Sequence, residues 1–196
     1  MKPERLQGEL VAGPHTRIGL VVSRFNSYVT GHMEAEAVRT FGQLGGDAAN
    51  LTIASVPGSL ELAVAARRMA ETGRFDAIVC LGCVIRGQTD HYEHVIQQTA
   101  KGIRQVNTQT GVPCIFGVIS ADTLEQAIDR AGAKKGNQGA NAMMAGVEMA
   151  NLLGKLSGAA VRSSAQARPA AGQPAGRMPP AGTAGDADTP HPAEKD

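Results

Sequence analysis

The sequence predicts a three-layer α/β/α sandwich around a four-stranded parallel sheet, and two observations carry that expectation. Four short runs rich in Val and Ile recur along the chain, separated by segments whose apolar residues fall at helical spacing. The runs are continuously apolar rather than alternating. That is the pattern of strands covered on both faces, hence of a parallel sheet between helical layers.

The elements follow in order. "RIGLVVS" from Arg17 is the first strand, and Met33, Ala37, Val38, Phe41 and Leu44 then share one face of a helix. "AANLTIASV" from Ala48 is the second strand, with a short helix from Leu62 to Met69 behind it. "DAIVCLG" from Asp76 is the third, followed by a helix with Val95, Ile96, Thr99, Ile103 and Val106 on one side. "VPCIFGVIS" from Val112 closes the sheet. "TLEQAIDRAG" reads as a further helix, Gly132 and Gly136 mark a break, and a long helix runs from about Asn137 to Leu156 with Ala140, Met143, Met144 and Val147 at core spacing.

From Ser157 onward the composition turns to Ala, Pro, Gly and Ser, with six of the ten prolines and no Leu, Ile, Phe or Tyr. Such a stretch buries too little apolar area to offset its ordering entropy, so 157–196 is expected to be a disordered tail and the folded domain to end near Leu156. The formal charge of +1 and the scattered basic residues lack the electrostatic footprint of a nucleic-acid or anionic-membrane binder. The first dozen residues carry no basic start with an apolar run, and no apolar stretch approaches the roughly 18 residues of a membrane helix. The expectation is a soluble cytoplasmic protein acting on small molecules or proteins.

Cys80, Cys83 and Cys114 are an odd set without a secretion signal, which argues against a disulfide framework. The C-x-x-C spacing of Cys80 and Cys83 falls inside "DAIVCLGCVI", where thiols usually serve as small core residues rather than redox groups.

Sheets of this kind hold ligands beyond the carboxyl ends of their strands. Four loops lie there: "SRFNS", "SVPGSLE", "GCVIRGQTDH" and "ISADT". Phe25, in a chain with only 3% aromatic residues, is a candidate stacking surface for a flat heterocycle, or a staple on the following helix. Pro57-Gly58-Ser59 opens the second helix, and Glu61 in its first turn either accepts from ligand hydroxyls or answers the helix dipole. Asp90 and Glu93 have the spacing of a capping box, which sets Gln88 and Thr89 just outside a helix N-terminus where free N–H groups attract an anion such as phosphate. His91 follows in the first turn, and an imidazole both takes and gives protons near neutral pH. His94 lies at i+3, but nothing at ligand spacing completes a metal site, so none is expected. Arg130 ends a helix, either as a cation against its C-terminus or as a phosphate clamp. "GAKKGNQG" has neither the spacing nor the preceding strand of a P-loop.

Taken in order, "SRFNS", "VPGSLELA", "GCVIRGQTDHYEHV", "PCIFGVI" and "DRAGAKKGNQG" resemble the successive motifs of the lumazine synthase family, across nearly all of residues 8–156. The resemblance implies a flavodoxin-like sheet and a transferase of riboflavin biosynthesis. Its reaction condenses 5-amino-6-(D-ribitylamino)uracil with 3,4-dihydroxy-2-butanone 4-phosphate to 6,7-dimethyl-8-ribityllumazine, releasing phosphate and water. It implies that the pyrimidine stacks on Phe25, that Ser59, Leu60 and Glu61 with Cys83, Val84 and Ile85 hold the ring and ribityl chain, that Gln88, Thr89 and Arg130 bind phosphate, and that His91 moves protons. Phe116 and Arg130 would come from a neighbouring subunit. Arg86 itself reads as a support for its loop, through an ion pair, rather than as a catalyst. No cofactor or metal is implied.

The same resemblance implies a homo-oligomer, a pentamer or a 60-subunit icosahedral shell with sites at subunit interfaces, and riboflavin synthase as a protein partner. Residues 1–12 would form an arm on a neighbouring subunit, "GELVA" adding to its sheet. The short "AGAKKGNQG" link lacks the insertion that blocks shell closure. Two departures stand out: Gln138 where many members carry a lysine, and Leu60 where an aromatic is common. The rival readings are a non-catalytic shell-forming or flavin-binding protein of the same fold, a monomeric phosphate-binding module, and a thiol-dependent oxidoreductase.

Overall fold

The computed structural model describes residues 3–158. The predicted tail therefore lies outside the described residues, apart from Ser157 and Gly158, which form a turn after the last helix. Strands β1 (Ile18–Ser23), β2 (Leu51–Val56), β3 (Ala77–Ile85) and β4 (Cys114–Ala121) alternate with helices α1 (Ser27–Gln43), α2 (Leu62–Glu71) and α3 (His91–Thr110), and α4 (Leu124–Arg130) and α5 (Gln138–Leu156) follow. All strand pairs are parallel, in the order β2-β1-β3-β4. This is the expected α/β sandwich with a flavodoxin-like sheet.

Two apolar cores make the layers. On one face Ile18, Leu20 and Val22 of β1 and Val79, Leu81 and Cys83 of β3 pack against Met33, Ala37 and Phe41 of α1, Ala127 of α4 and Met143 and Val147 of α5. On the other, Val21, Ile78, Cys80 and Val84 meet Leu62 and Ala66 of α2 and Ile103 and Val106 of α3. The inner strands β1 and β3 feed both cores, which is why their sequences read as unbroken apolar runs. The edge strand β2 is covered less fully: Val56 joins one core and Leu51 packs against the other, but Ile53 is 43% exposed.

Three local expectations are corrected. The second strand starts at Leu51, because Asp47 accepts a hydrogen bond from the Ala49 N–H and winds Ala48–Asn50 into a 3₁₀ turn. Val38 is exposed at the flank of α1, whose buried stripe runs through Met33, Ala37 and Phe41. The Asp90–Glu93 capping box does not form: Asp90 is at the N-cap with helical backbone angles (φ −67°, ψ −1°) that keep its side chain from bending back, and Glu93 turns to Arg86 instead. The glycine break does form. Gly132 and Gly136 take positive φ, and Asn137 caps α5 by accepting from the Gly139 and Ala140 amides.

Candidate active site

Loops at the carboxyl ends of β1, β2 and β3 enclose a cavity of about 330 Å³. It lies where the strand order reverses, the usual ligand position of an open α/β sheet. Asn26 sets the first wall. It is the one non-glycine residue with positive φ among the described residues, and its Nδ2 donates to the Cys83 carbonyl at 3.0 Å. The Phe25 amide donates to the Pro57 carbonyl at 3.1 Å. These bonds tie the loop to its neighbours and leave the Phe25 ring 66% exposed on the cavity, outside either core.

Gly58, Ser59, Leu60 and Glu61 make the second wall. Ser59 is buried, and its Oγ has no hydrogen-bond partner among the described residues. It sits over Gly82, where a Cβ would come within 2.8 Å of that oxygen. A buried hydroxyl left unpaired costs about 1–3 kcal/mol, so this oxygen is poised for a polar atom of a bound molecule. Ser23 Oγ, on the same face at the end of β1, is in the same state. Glu61 occupies the N-cap position of α2, one residue earlier than expected, without capping it; its carboxylate lies against Gly58, 3.0 Å from where a Cβ would be.

Val84 and Ile85 form the floor, and Gly87, Thr89, His91, Tyr92 and Val95 the third wall. No side chain caps α3, so its first turn presents amide groups and a positive dipole end beside Thr89 and His91. Arg86 leaves the loop outward. Its Nε donates to Asp122 Oδ1 at 2.8 Å, its Nη1 reaches Glu93 Oε1 at 3.4 Å, and its guanidinium stacks 4.5 Å from the Tyr92 ring centre. Asp122 first, then Glu93, hold the guanidinium above its ordinary basicity.

A larger groove of about 700 Å³ runs between α1 and the α4–α5 link. Its polar groups answer one another: Arg39 pairs with Glu36, His32 Nδ1 meets the Tyr28 carbonyl, and Asn137 donates to the Ala131 carbonyl. The smaller cavity, with its unpaired hydroxyl, imidazole and open helix end, is the chemically equipped one.

The model of the family described as 6,7-dimethyl-8-ribityllumazine synthase matches residues 15–154, well over half of the chain. The chain belongs to that family. The lumazine synthase family supplies a transferase-type step of riboflavin biosynthesis and takes small molecules as substrates. No helix among the described residues is long and apolar enough to cross a membrane.

Of the candidate site residues read from the sequence, the cavity gathers Phe25, Ser59, Leu60, Glu61, Val84, Ile85, Thr89 and His91. Four do not line it. The Cys83 side chain turns into the opposite core, and its carbonyl accepts from Asn26; Gln88 is exposed to solvent; Phe116 lies partly exposed on the edge strand β4; and Arg130 is exposed at the end of α4. Tyr92 lines the cavity without having been singled out, and Val95, read as part of the apolar face of α3, lines it too; Tyr92 stood beside His91 as one of only two tyrosines, which was its signal. The C-x-x-C reading fails on geometry, since Cys80 and Cys83 face opposite cores. Cys80 instead meets Cys114 at 3.6 Å; that contact and burial hold its thiol protonated.

Proposed function

We propose that this cavity condenses 5-amino-6-(D-ribitylamino)uracil with 3,4-dihydroxy-2-butanone 4-phosphate to 6,7-dimethyl-8-ribityllumazine, releasing phosphate and water. The observation that carries the reading is the convergence of Phe25, Ser59 to Glu61, Val84, Ile85, Thr89 and His91 on one cavity in a chain of this family. The pyrimidine stacks on Phe25, and its ribityl hydroxyls meet the unpaired Ser59 Oγ and the Glu61 carboxylate. The phosphate of the ketone sits at the open end of α3 with Thr89 and the adjoining backbone of Gln88.

His91 then moves protons as the amine adds to the ketone, water leaves to give an imine, phosphate departs, and the second nitrogen adds to the remaining carbonyl and closes the ring with loss of a second water. Phe116 and Arg130 do not line the cavity within one chain but lie exposed on the β4 and α4 side. That separation supports a site completed by a neighbouring subunit, whose Arg130 clamps the phosphate.

The test follows product absorbance after both substrates are mixed with wild type, His91→Ala and Arg130→Ala. His91→Ala should lower kcat on the order of 100-fold, the scale of a lost proton-transfer group. Arg130→Ala should chiefly raise KM for the phosphorylated ketone. Wild-type protein no faster than the uncatalysed mixture would overturn the reading and leave a non-catalytic member of the fold.

A further inference from the structure

We propose that Arg86 is a positioning residue that sets the first turn of α3, and through it Thr89, His91 and Tyr92, against the ends of β3 and β4. The inference rests on the synthase reading of the cavity above. Its starting point is how little else holds the loop. Gly87, Gln88 and Thr89 make no hydrogen bond of their own among the described residues, all three are exposed, and a Cβ at Gly87 would meet nothing within 4 Å. Yet on that reading this segment carries Thr89 of the phosphate subsite and leads directly into His91.

Arg86 reaches every structure that borders it. Its amide donates to the Ala121 carbonyl at 2.9 Å, fixing the end of β3 to the end of β4. Its side chain pairs with Asp122 in the β4–α4 loop and with Glu93 in the first turn of α3, and its flat face covers Tyr92, whose ring lines the cavity. A planar guanidinium does all three at once: two edges donate while the face stacks. A lysine keeps the charge but can neither fork nor stack.

The ion pairs are exposed, with side-chain exposures of 45%, 54% and 62% for Arg86, Glu93 and Asp122, and pairs of that kind add little to stability. Geometry is then what the cluster supplies. The walls that bind the heterocycle, Phe25 and Ser59 to Glu61, belong to other loops and do not depend on it.

Two readouts test this, one of them free of activity. The chain has two tyrosines and no tryptophan, so in a Tyr28→Phe background Tyr92 alone gives the near-ultraviolet tyrosine circular dichroism. Arg86→Lys should collapse that band toward the free-tyrosine value with the melting temperature nearly unchanged; Asp122→Asn should weaken it in part. In steady-state kinetics Arg86→Lys should lower kcat about tenfold and raise KM for the phosphorylated ketone about tenfold, with KM for the pyrimidine unaltered, the pattern of a misplaced loop beside an intact ring pocket.

An unchanged Tyr92 band in Arg86→Lys overturns the clamp, and equal rises in both KM values overturn its selective role. A wild-type enzyme that makes no product sinks the synthase reading instead. The dichroism then decides the clamp by itself.

Discussion

Single residues carry constraints in this fold that pattern reading does not reach. Ser23 and Ser59 look like ordinary polar punctuation, and only burial reveals unpaired hydroxyls. Glu93 has capping-box spacing, yet its carboxylate turns to the Arg86 guanidinium at 3.4 Å, and Asp90 takes helical backbone angles that do not suit a cap. Cys83 yields a pH prediction. Burial pushes its thiol from an ordinary value of 9.0 up to about 11, so the folded state favours the protonated form. That contribution is fully present below the unfolded value and is lost as pH climbs from 9 towards 11. Denaturant midpoints measured across this window should fall more steeply for wild type than for Cys83→Ala; parallel slopes would contradict it.

At the scale of elements, close approach replaces bulk. Helix α5 packs on α1 through Gly139, where an added Cβ would lie 2.0 Å from the Met33 carbonyl oxygen, a backbone atom that cannot step aside. Gly139→Ala should therefore force the two helices apart and cost about 1–3 kcal/mol or more, visible as an earlier thermal transition without loss of helical dichroism below it. A variant as stable as wild type would mean that the helices separate freely. Strand and helix existence was legible because β1 and β3 are unbroken apolar runs and α3 and α5 carry apolar residues at helical spacing. Boundaries were not, where side-chain bonds decide them: Asp47 shortens β2, and Asn137 begins α5 by accepting from two amides. The cavity's walls were legible from the rule that loops after parallel strands hold ligands, but Tyr92 needed the guanidinium behind it to be seen as fixed.

For the whole molecule, the sheet order leaves β2 and β4 as open edges and sets Phe116 and Arg130 apart from His91. A shared site makes a quantitative prediction. If Arg130 of one subunit serves His91 of the next, randomly mixed oligomers of His91→Ala and Arg130→Ala subunits regain wild-type pairs at about a quarter of their interfaces. Activity after unfolding and refolding the two together should then exceed that of either alone. No gain, from mixtures shown by mass to be hybrid, would put both residues in one chain. The arm shows the same dependence on chain-wide context. Within one chain it lies along α5: Asn151 donates to the Glu9 and Val11 carbonyls, and Lys155 to the Gln7 carbonyl and the Glu9 carboxylate.

The pairing of α1 with α5 also sets a timetable. The apolar stripe of Met33, Ala37 and Phe41 is covered by Met143 and Val147, from a helix that begins 95 residues after α1 ends. At translation rates of about 5–20 residues per second, that stripe leaves the ribosome roughly 5–20 s before its partner exists. One half of the core is thus closed late, and the stripe stays uncovered by α5 until well after the last strand has been made.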